Sequence, residues 1–137
     1  MCDAFESDTE DHYADKPSPE QLMDNVRGAC PGLREHQIEI HATLSNDLDL
    51  EPDREFRFIH VDGGHSAQQA YFDLTLCSRY LAEGGVIAMD DYHHEKWPGV
   101  TEGTDRFLYE RDDFRVLADL NRRGALGRKL TADARVE

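Results

Sequence analysis

Three aspartates and one histidine are the residues whose types and placing could do chemistry. Asp62 follows the run Phe56-Arg57-Phe58-Ile59-His60-Val61, and Asp90-Asp91 follow Val86-Ile87-Ala88-Met89. If both runs are strands joined by a crossover helix, they lie parallel and end on the same sheet edge, with neighbouring axes about 4.8 Å apart. Ligands of open α/β sheets bind at that edge. Carboxylates gathered there repel one another unless a cation or protons intervene. Oxygen-only donors favour a hard ion such as Mg²⁺, Mn²⁺ or Ca²⁺. The plainer alternative makes them helix caps or solvated turn residues. However, Ser66 already offers a cap after Asp62, and the doubled Asp90-Asp91 exceeds what one cap needs. His65 stands three residues after Asp62, beyond Gly63-Gly64, where the backbone can approach a ligand closely. It is a candidate base or a partner of the carboxylates. His93 and His94 read as exposed loop histidines, and His12, His36 and His41 as surface residues.

The elements that would position these groups can be read from periodicity and punctuation. Residues 6–17 are polar and acidic and read as a loop. Ser18-Pro19-Glu20-Gln21 combines a cap, a first-turn proline and a returning glutamine, and so starts a helix. Leu22, Val26 and Ala29 give that helix its apolar face, and Cys30-Pro31-Gly32 ends it. Ile38 to Leu44 alternates as a strand, and Asp47 to Glu55 reads as a second acidic loop. The run at 56–61 reads as a mostly buried strand. Ser66-Ala67-Gln68-Gln69 caps a helix whose Ala70, Leu74, Cys77 and Leu81 share a face and whose end is set by Glu83-Gly84-Gly85. The continuous apolar run at 86–89 predicts a strand covered on both faces. A third helix is predicted over about 99–110, with Val100, Phe107 and Leu108 inward. Phe114, Val116, Ala118 and Leu120 then alternate, Asn121-Arg122-Arg123-Gly124 turns, and Ala125 to Leu130 returns antiparallel.

Composition bounds the function. The 137 residues suit one domain. A net charge of −14 repels phosphate backbones, which argues against nucleic acid as the main partner. No run approaches the ~18–20 apolar residues of a membrane span. No basic-then-apolar signal opens the chain, so a cytoplasmic location is expected. Cys2, Cys30 and Cys77 are odd in number and form no CxxC, so they read as free thiols.

The segments Phe58-Ile59-His60-Val61-Asp62-Gly63-Gly64-His65-Ser66 and Leu81-Ala82-Glu83-Gly84-Gly85-Val86-Ile87-Ala88-Met89-Asp90-Asp91-Tyr92, with Pro98-Gly99-Val100 and Phe107-Leu108, together resemble a subgroup of class I S-adenosylmethionine-dependent methyltransferases. In that subgroup a DGxH strand end, an L-x-x-GG turn and a DDY strand end follow in this order, as in macrocin and related sugar O-methyltransferases. Cys2-Asp3-Ala4-Phe5-Glu6 is similar to the segment that ends strand two there. The resemblance implies a Rossmann-like open α/β sheet, mostly parallel with a C-terminal antiparallel hairpin, as a single partial domain over residues 1–137. It implies that the family's strand one and glycine-rich loop are lacking here, so that the chain corresponds to the C-terminal two-thirds of such an enzyme, as a fragment, an incomplete product or a remnant. Asp3 would hold the cofactor ribose, Ser45 would approach the adenine, and Asp62 would lie near the reacting centre and contribute to the cofactor site. Asp62, Asp90 and Asp91 would fall on metal-ligand positions for Mg²⁺ or Mn²⁺, with Asp62 or His65 as base.

The expected reaction is metal-assisted O-methylation of a small-molecule, sugar-like hydroxyl. A homo-oligomer is left open. The rival functions are a non-catalytic metal- or partner-binding remnant and a metal-dependent hydrolase using the same Asp/His edge. The chain alone is expected to bind S-adenosylmethionine weakly.

Overall fold

The computed structural model describes residues 1–3 and 18–129. The acidic loop expected over 6–17, the Ala4-Phe5-Glu6 part of the resemblance, His12, and Leu130 at the end of the expected hairpin lie outside the described residues. The chain divides into two compact units, Met1–Leu50 and Glu51–Glu137.

The first unit contains strand β1 (Cys2–Asp3), helix α1 (Pro19–Ala29) and strand β2 (His41–Ala42). Helix α1 starts where the sequence sets its cap. The Gln21 amide donates to Ser18 Oγ at 3.2 Å, and the Ser18 amide donates to Gln21 Oε1 at 3.0 Å. It ends at Cys30, whose amide donates to the Val26 carbonyl at 2.8 Å. Leu22 and Val26 are half-buried, while Ala29 is exposed. β1 and β2 are parallel, with Cys2 opposite His41 and Asp3 opposite Ala42. The strand expected over residues 38–44 is therefore cut to two residues. A ladder is only as long as its shorter partner, and one-turn 3-10 segments at Glu35–Gln37 and Ser45–Asp47 flank it.

The second unit contains β3 (Phe56–Val61), α2 (Ala67–Tyr80), β4 (Leu81–Asp90), α3 (Pro98–Glu110), β5 (Phe114–Asp119) and β6 (Arg123–Arg128). Its four-stranded sheet has the order β3-β4-β6-β5. β3 and β4 are parallel and joined through α2, with Ile59 opposite Ile87 and Val61 opposite Met89. β6 runs antiparallel between β4 and β5. This is the mixed open α/β sheet that the sequence predicts.

One face of this sheet is the core. Val61, Ile87, Met89 and Leu126 pack there with Ala70 and Leu74 of α2, Val100 and Phe107 of α3, and Phe114. The rings of Phe107 and Phe114 meet edge to face at 5.1 Å. Two expectations of burial need correction. Phe58 is 62% exposed, and Val86 and Ala88 are only half-buried beside a fully buried Ile87. Both helices pack on the core face, so the apolar residues of β3 and β4 that point the other way keep contact with solvent. β3 also pairs with β4 alone among the described residues. Helix α2 ends at Tyr80, before the glycine pair expected to stop it, and Gly84 takes a left-handed φ of 70° further on.

The α2–α3 contact is close because α3 carries glycine at two positions four apart. A Cβ on Gly103 would run into the Ala67 carbonyl and lie 2.9 Å from Ala70 Cβ. A Cβ on Gly99 would lie 2.5 Å from the His65 carbonyl oxygen. The start of α3 is thereby held against the segment that carries His65. Where β5 turns into β6, Asn121 and Arg122 adopt φ values of 47° and 73°. The Leu120 amide donates to the Arg123 carbonyl at 2.8 Å and the Arg123 amide to the Leu120 carbonyl at 3.1 Å. These features define a two-residue type I′ hairpin turn. A register shift between Val116 and Ala118 breaks the simple alternation expected of β5.

Candidate active site

Val61 and Met89 are the last register partners of the parallel ladder, so Asp62 and Asp90 come next on neighbouring strands at the carboxyl edge. The structure brings Asp62, Asp90, Asp91 and His65 to this edge, and each has a different electrostatic setting.

Asp90 lies directly opposite Arg123 in the β4–β6 register. Arg123 donates to it twice, Nε to Oδ1 at 2.7 Å and a terminal nitrogen to Oδ2 at 3.2 Å. This charge-assisted fork holds the Asp90 carboxyl below the usual aspartate range, chiefly through the Arg123 hydrogen bond. Asp91 takes a left-handed φ of 55°, and its amide donates to Asp90 Oδ1 at 3.1 Å. That turn carries the Asp91 carboxylate towards His65, whose Nε2 lies 3.2 Å from Oδ2. His65 stacks on Trp97 with ring centroids 3.9 Å apart and planes 12° from parallel. Its side chain is 11% exposed, so the ring is fixed from two sides.

Asp62 differs from both. Its carboxylate has no hydrogen bond or ion pair among the described residues. The residue is exposed as a whole, yet partial loss of solvent around the carboxyl pushes its pKa up, and the negative charge of Asp90 pushes it further. Asp91 adds to the rise, while His60 and His65 oppose it. An unpaired aspartate with a raised pKa is a better base than an ordinary one.

The loop after β4 is also tied down. Tyr92 is buried, and its hydroxyl donates to Asp105 at 2.8 Å; burial and that bond push its pKa well above the ordinary tyrosine value. His93 stacks on Tyr92 and lies 2.6 Å from Asp119. His94 Nε2 is 3.2 Å from Arg122 and its side chain is only 18% exposed, which corrects its reading as an exposed loop histidine. His36 is exposed as expected. His41 is half-buried and pairs with Glu39 at 2.9 Å, so it is not a simple surface residue. Trp97 and Arg123 were missed as site residues. The single tryptophan ahead of Pro98-Gly99 was a signal that could have been used. Nothing local to Arg123 points at Asp90, since only the strand register joins them.

The edge does not fit a divalent metal. Among the described residues, no group of three His, Cys, Asp or Glu side chains could hold one. The metal site expected at Asp62, Asp90 and Asp91 is thus not supported. The physical reason is that Arg123 occupies both oxygens of Asp90, while Asp91 is turned towards His65.

β1 and β2 are parallel, so Asp3 at the end of β1 and Ser45 just beyond β2 lie towards the same edge of their sheet. The structure describes Asp3 through its backbone.

An open α/β sheet with acidic residues at its carboxyl edge is the arrangement of a Rossmann-like methyltransferase. The model of a methyltransferase-domain family matches residues 1–92, and the chain belongs to that family. S-Adenosylmethionine is the cofactor expected of it. Among solved structures, the chain is similar to the O-methyltransferase NovP, at 19% identity and a TM-score of 0.65 over 83% of this chain and 46% of that one. It is also similar to a Clostridium thermocellum protein assigned as an rRNA methylase, at 14% identity and a TM-score of 0.52 over 80% and 69%. At these identities the likeness shows the fold. The chain thus spans less than half the length of the NovP chain. No curated protein matches significantly.

Proposed function

We propose that this chain carries the acceptor side of an S-adenosylmethionine-dependent O-methyltransferase acting on a small-molecule, sugar-like hydroxyl, with Asp62 as the general base. The observation that carries this reading is the electrostatic difference along the edge. Asp90 and Asp91 are engaged by Arg123 and His65, and Asp62 is the aspartate left with a raised pKa and no partner. When bound, the cofactor supplies a methyl group already activated as a sulfonium.

The chain's residues then have to orient the acceptor and remove a proton. Asp62 would accept the hydroxyl proton as the acceptor oxygen takes the methyl group and the methyl–sulfur bond breaks, leaving a neutral thioether. His65, fixed by Asp91 and Trp97, forms a rigid polar wall beside Asp62 that limits how the acceptor turns. Asp3 and Ser45 are proposed to hold the ribose and adenine. The charge of −14 argues against an RNA acceptor. Two of the donors that a metal-dependent hydrolase would need, Asp90 and Asp91, are paired with Arg123 and His65, which favours the methyltransferase reading.

Labelled methyl transfer to a panel of sugars, comparing wild type with Asp62→Asn, tests the proposal. The substitution is expected to lower kcat by about 10²–10⁴-fold. A kcat within a factor of two of wild type would remove Asp62 from the mechanism.

A further inference from the structure

The carboxyl edge gathers three aspartates, and a guanidinium from the neighbouring strand β6 is seated on one of them. Arg123 is the first residue of β6 and directly follows the type I′ turn. Its pairing with Asp90 is written into the ladder, because the two residues are register partners. The fork uses both carboxylate oxygens, at 2.7 and 3.2 Å. The neighbouring Arg122 reaches His94, so both arginines at this end of the hairpin bear on the loop that follows β4.

We propose that Arg123 is the resident cation of this edge: its guanidinium holds Asp90 so that the edge takes no divalent metal while the pair is closed. The reasoning is one of competing demands on the same oxygens. A small divalent ion needs oxygen donors at about 2.0–2.1 Å in near-octahedral order and gives up water reluctantly. A carboxylate with an arginine fork across it cannot turn to meet that demand without breaking two charge-assisted hydrogen bonds. The guanidinium also brings positive charge to where a metal would stand, which repels a second cation. Asp91 offers no replacement, since its left-handed backbone and its contact with His65 direct it elsewhere. Arg123 therefore acts as a specificity-determining residue. It sets this edge to work by hydrogen bonding and proton transfer rather than through a metal.

Mn²⁺ binding to the full 137-residue chain, followed by electron paramagnetic resonance, tests this without cofactor, acceptor or turnover, so its outcome is independent of the role of Asp62 as base. Wild type is expected to bind Mn²⁺ no tighter than about millimolar, the lower end of ordinary affinities. Arg123→Gln is expected to bind at least about tenfold tighter, a change of about 1.4 kcal/mol, and adding Asp90→Asn should abolish the gain. Arg122→Gln, which alters the same turn but leaves the fork in place, should behave as wild type. Micromolar binding by wild type, or no gain in Arg123→Gln, would overturn the proposal. An equal gain in Arg122→Gln would do the same, by showing that a loosened turn and not the missing guanidinium admits the metal. Circular dichroism on each variant confirms that the compared chains are folded.

Discussion

At the scale of single residues, the edge gives three aspartates three different chemistries. Asp90 is stabilised as an anion by Arg123, Asp91 is directed to His65, and Asp62 is left partly desolvated beside their charge. The raised pKa of Asp62 has a consequence for stability with a definite sign. A carboxyl whose folded-state pKa lies above its unfolded value binds protons more tightly in the native state. Stability therefore falls as pH rises from the unfolded value through the folded one. At neutral pH the ionised Asp62 is a strain on the fold that asparagine would relieve. Asp62→Asn is thus expected to melt at a higher temperature than wild type at pH 7. The difference should shrink as pH falls towards the ordinary aspartate range. Thermal melts at several pH values decide this, and a lower melting temperature for the variant at pH 7 would contradict it. The change proposed to lower activity should thereby increase stability, as is common where a site keeps a charge in an unfavourable place.

At the scale of elements, much was legible in the sequence because local chemistry set it. Ser18 and Ser66 cap their helices as their spacing predicts. The runs at 56–61 and 86–89 become the parallel pair, and the turn expected over 121–124 closes the hairpin at Asn121-Arg122, with Arg123 and Gly124 already in β6. What stayed hidden depends on partners distant in sequence. The apolar run of β3 reads as buried, but which of its faces receives a helix is decided by where α2 and α3 pack, and Phe58 points the other way. His41 and Ala42 are paired only as far as Cys2 and Asp3 reach, so alternation overstated β2. The union of Asp90 with Arg123 exists only through the antiparallel register, and nothing local to either residue announces it.

The glycines of this fold give a paired test. Gly103→Ala forces a methyl group into the Ala67 backbone, and overpacking of this kind costs about 1–3 kcal/mol. Gly28, near the end of α1, has nothing within 4 Å of an added Cβ. Gly28→Ala should raise helix content and stabilise by about 0.5–1 kcal/mol. Urea unfolding followed by circular dichroism measures both, and the expectation is two substitutions of the same type with opposite signs. A neutral Gly103→Ala would mean that α2 and α3 can separate at little cost.

At the scale of the whole molecule, the chain joins two compact units and belongs to a methyltransferase family, yet its 137 residues contain no G-x-G-x-G run. In such folds the backbone amides of a glycine-rich loop and the following helix N-terminus receive the anionic end of the ligand. The residues proposed here for the cofactor, Asp3 and Ser45, serve the nucleoside end. Several polar contacts at roughly 0.5–3 kcal/mol each are then unavailable to the methionine end. A shortfall of about 4 kcal/mol turns a micromolar site into a millimolar one. Equilibrium dialysis of labelled S-adenosylmethionine against this chain is therefore expected to give a dissociation constant nearer millimolar than micromolar. Micromolar binding at one cofactor per chain would locate the methionine pocket in residues so far given no such role. No helix among the described residues is long and apolar enough to cross a membrane.

The two-residue turn between β5 and β6 carries an evolutionary consequence. Side chains on a strand alternate between faces, so a ladder shifted by one residue exchanges one set of neighbours for the other. A single codon inserted or lost between Leu120 and Arg123 would leave every acidic residue of the edge in place, and where β6 takes up the shift it would pair Asp90 with a different side chain. Descent could then change the chemistry of the edge through the length of a distant loop, without altering any aspartate.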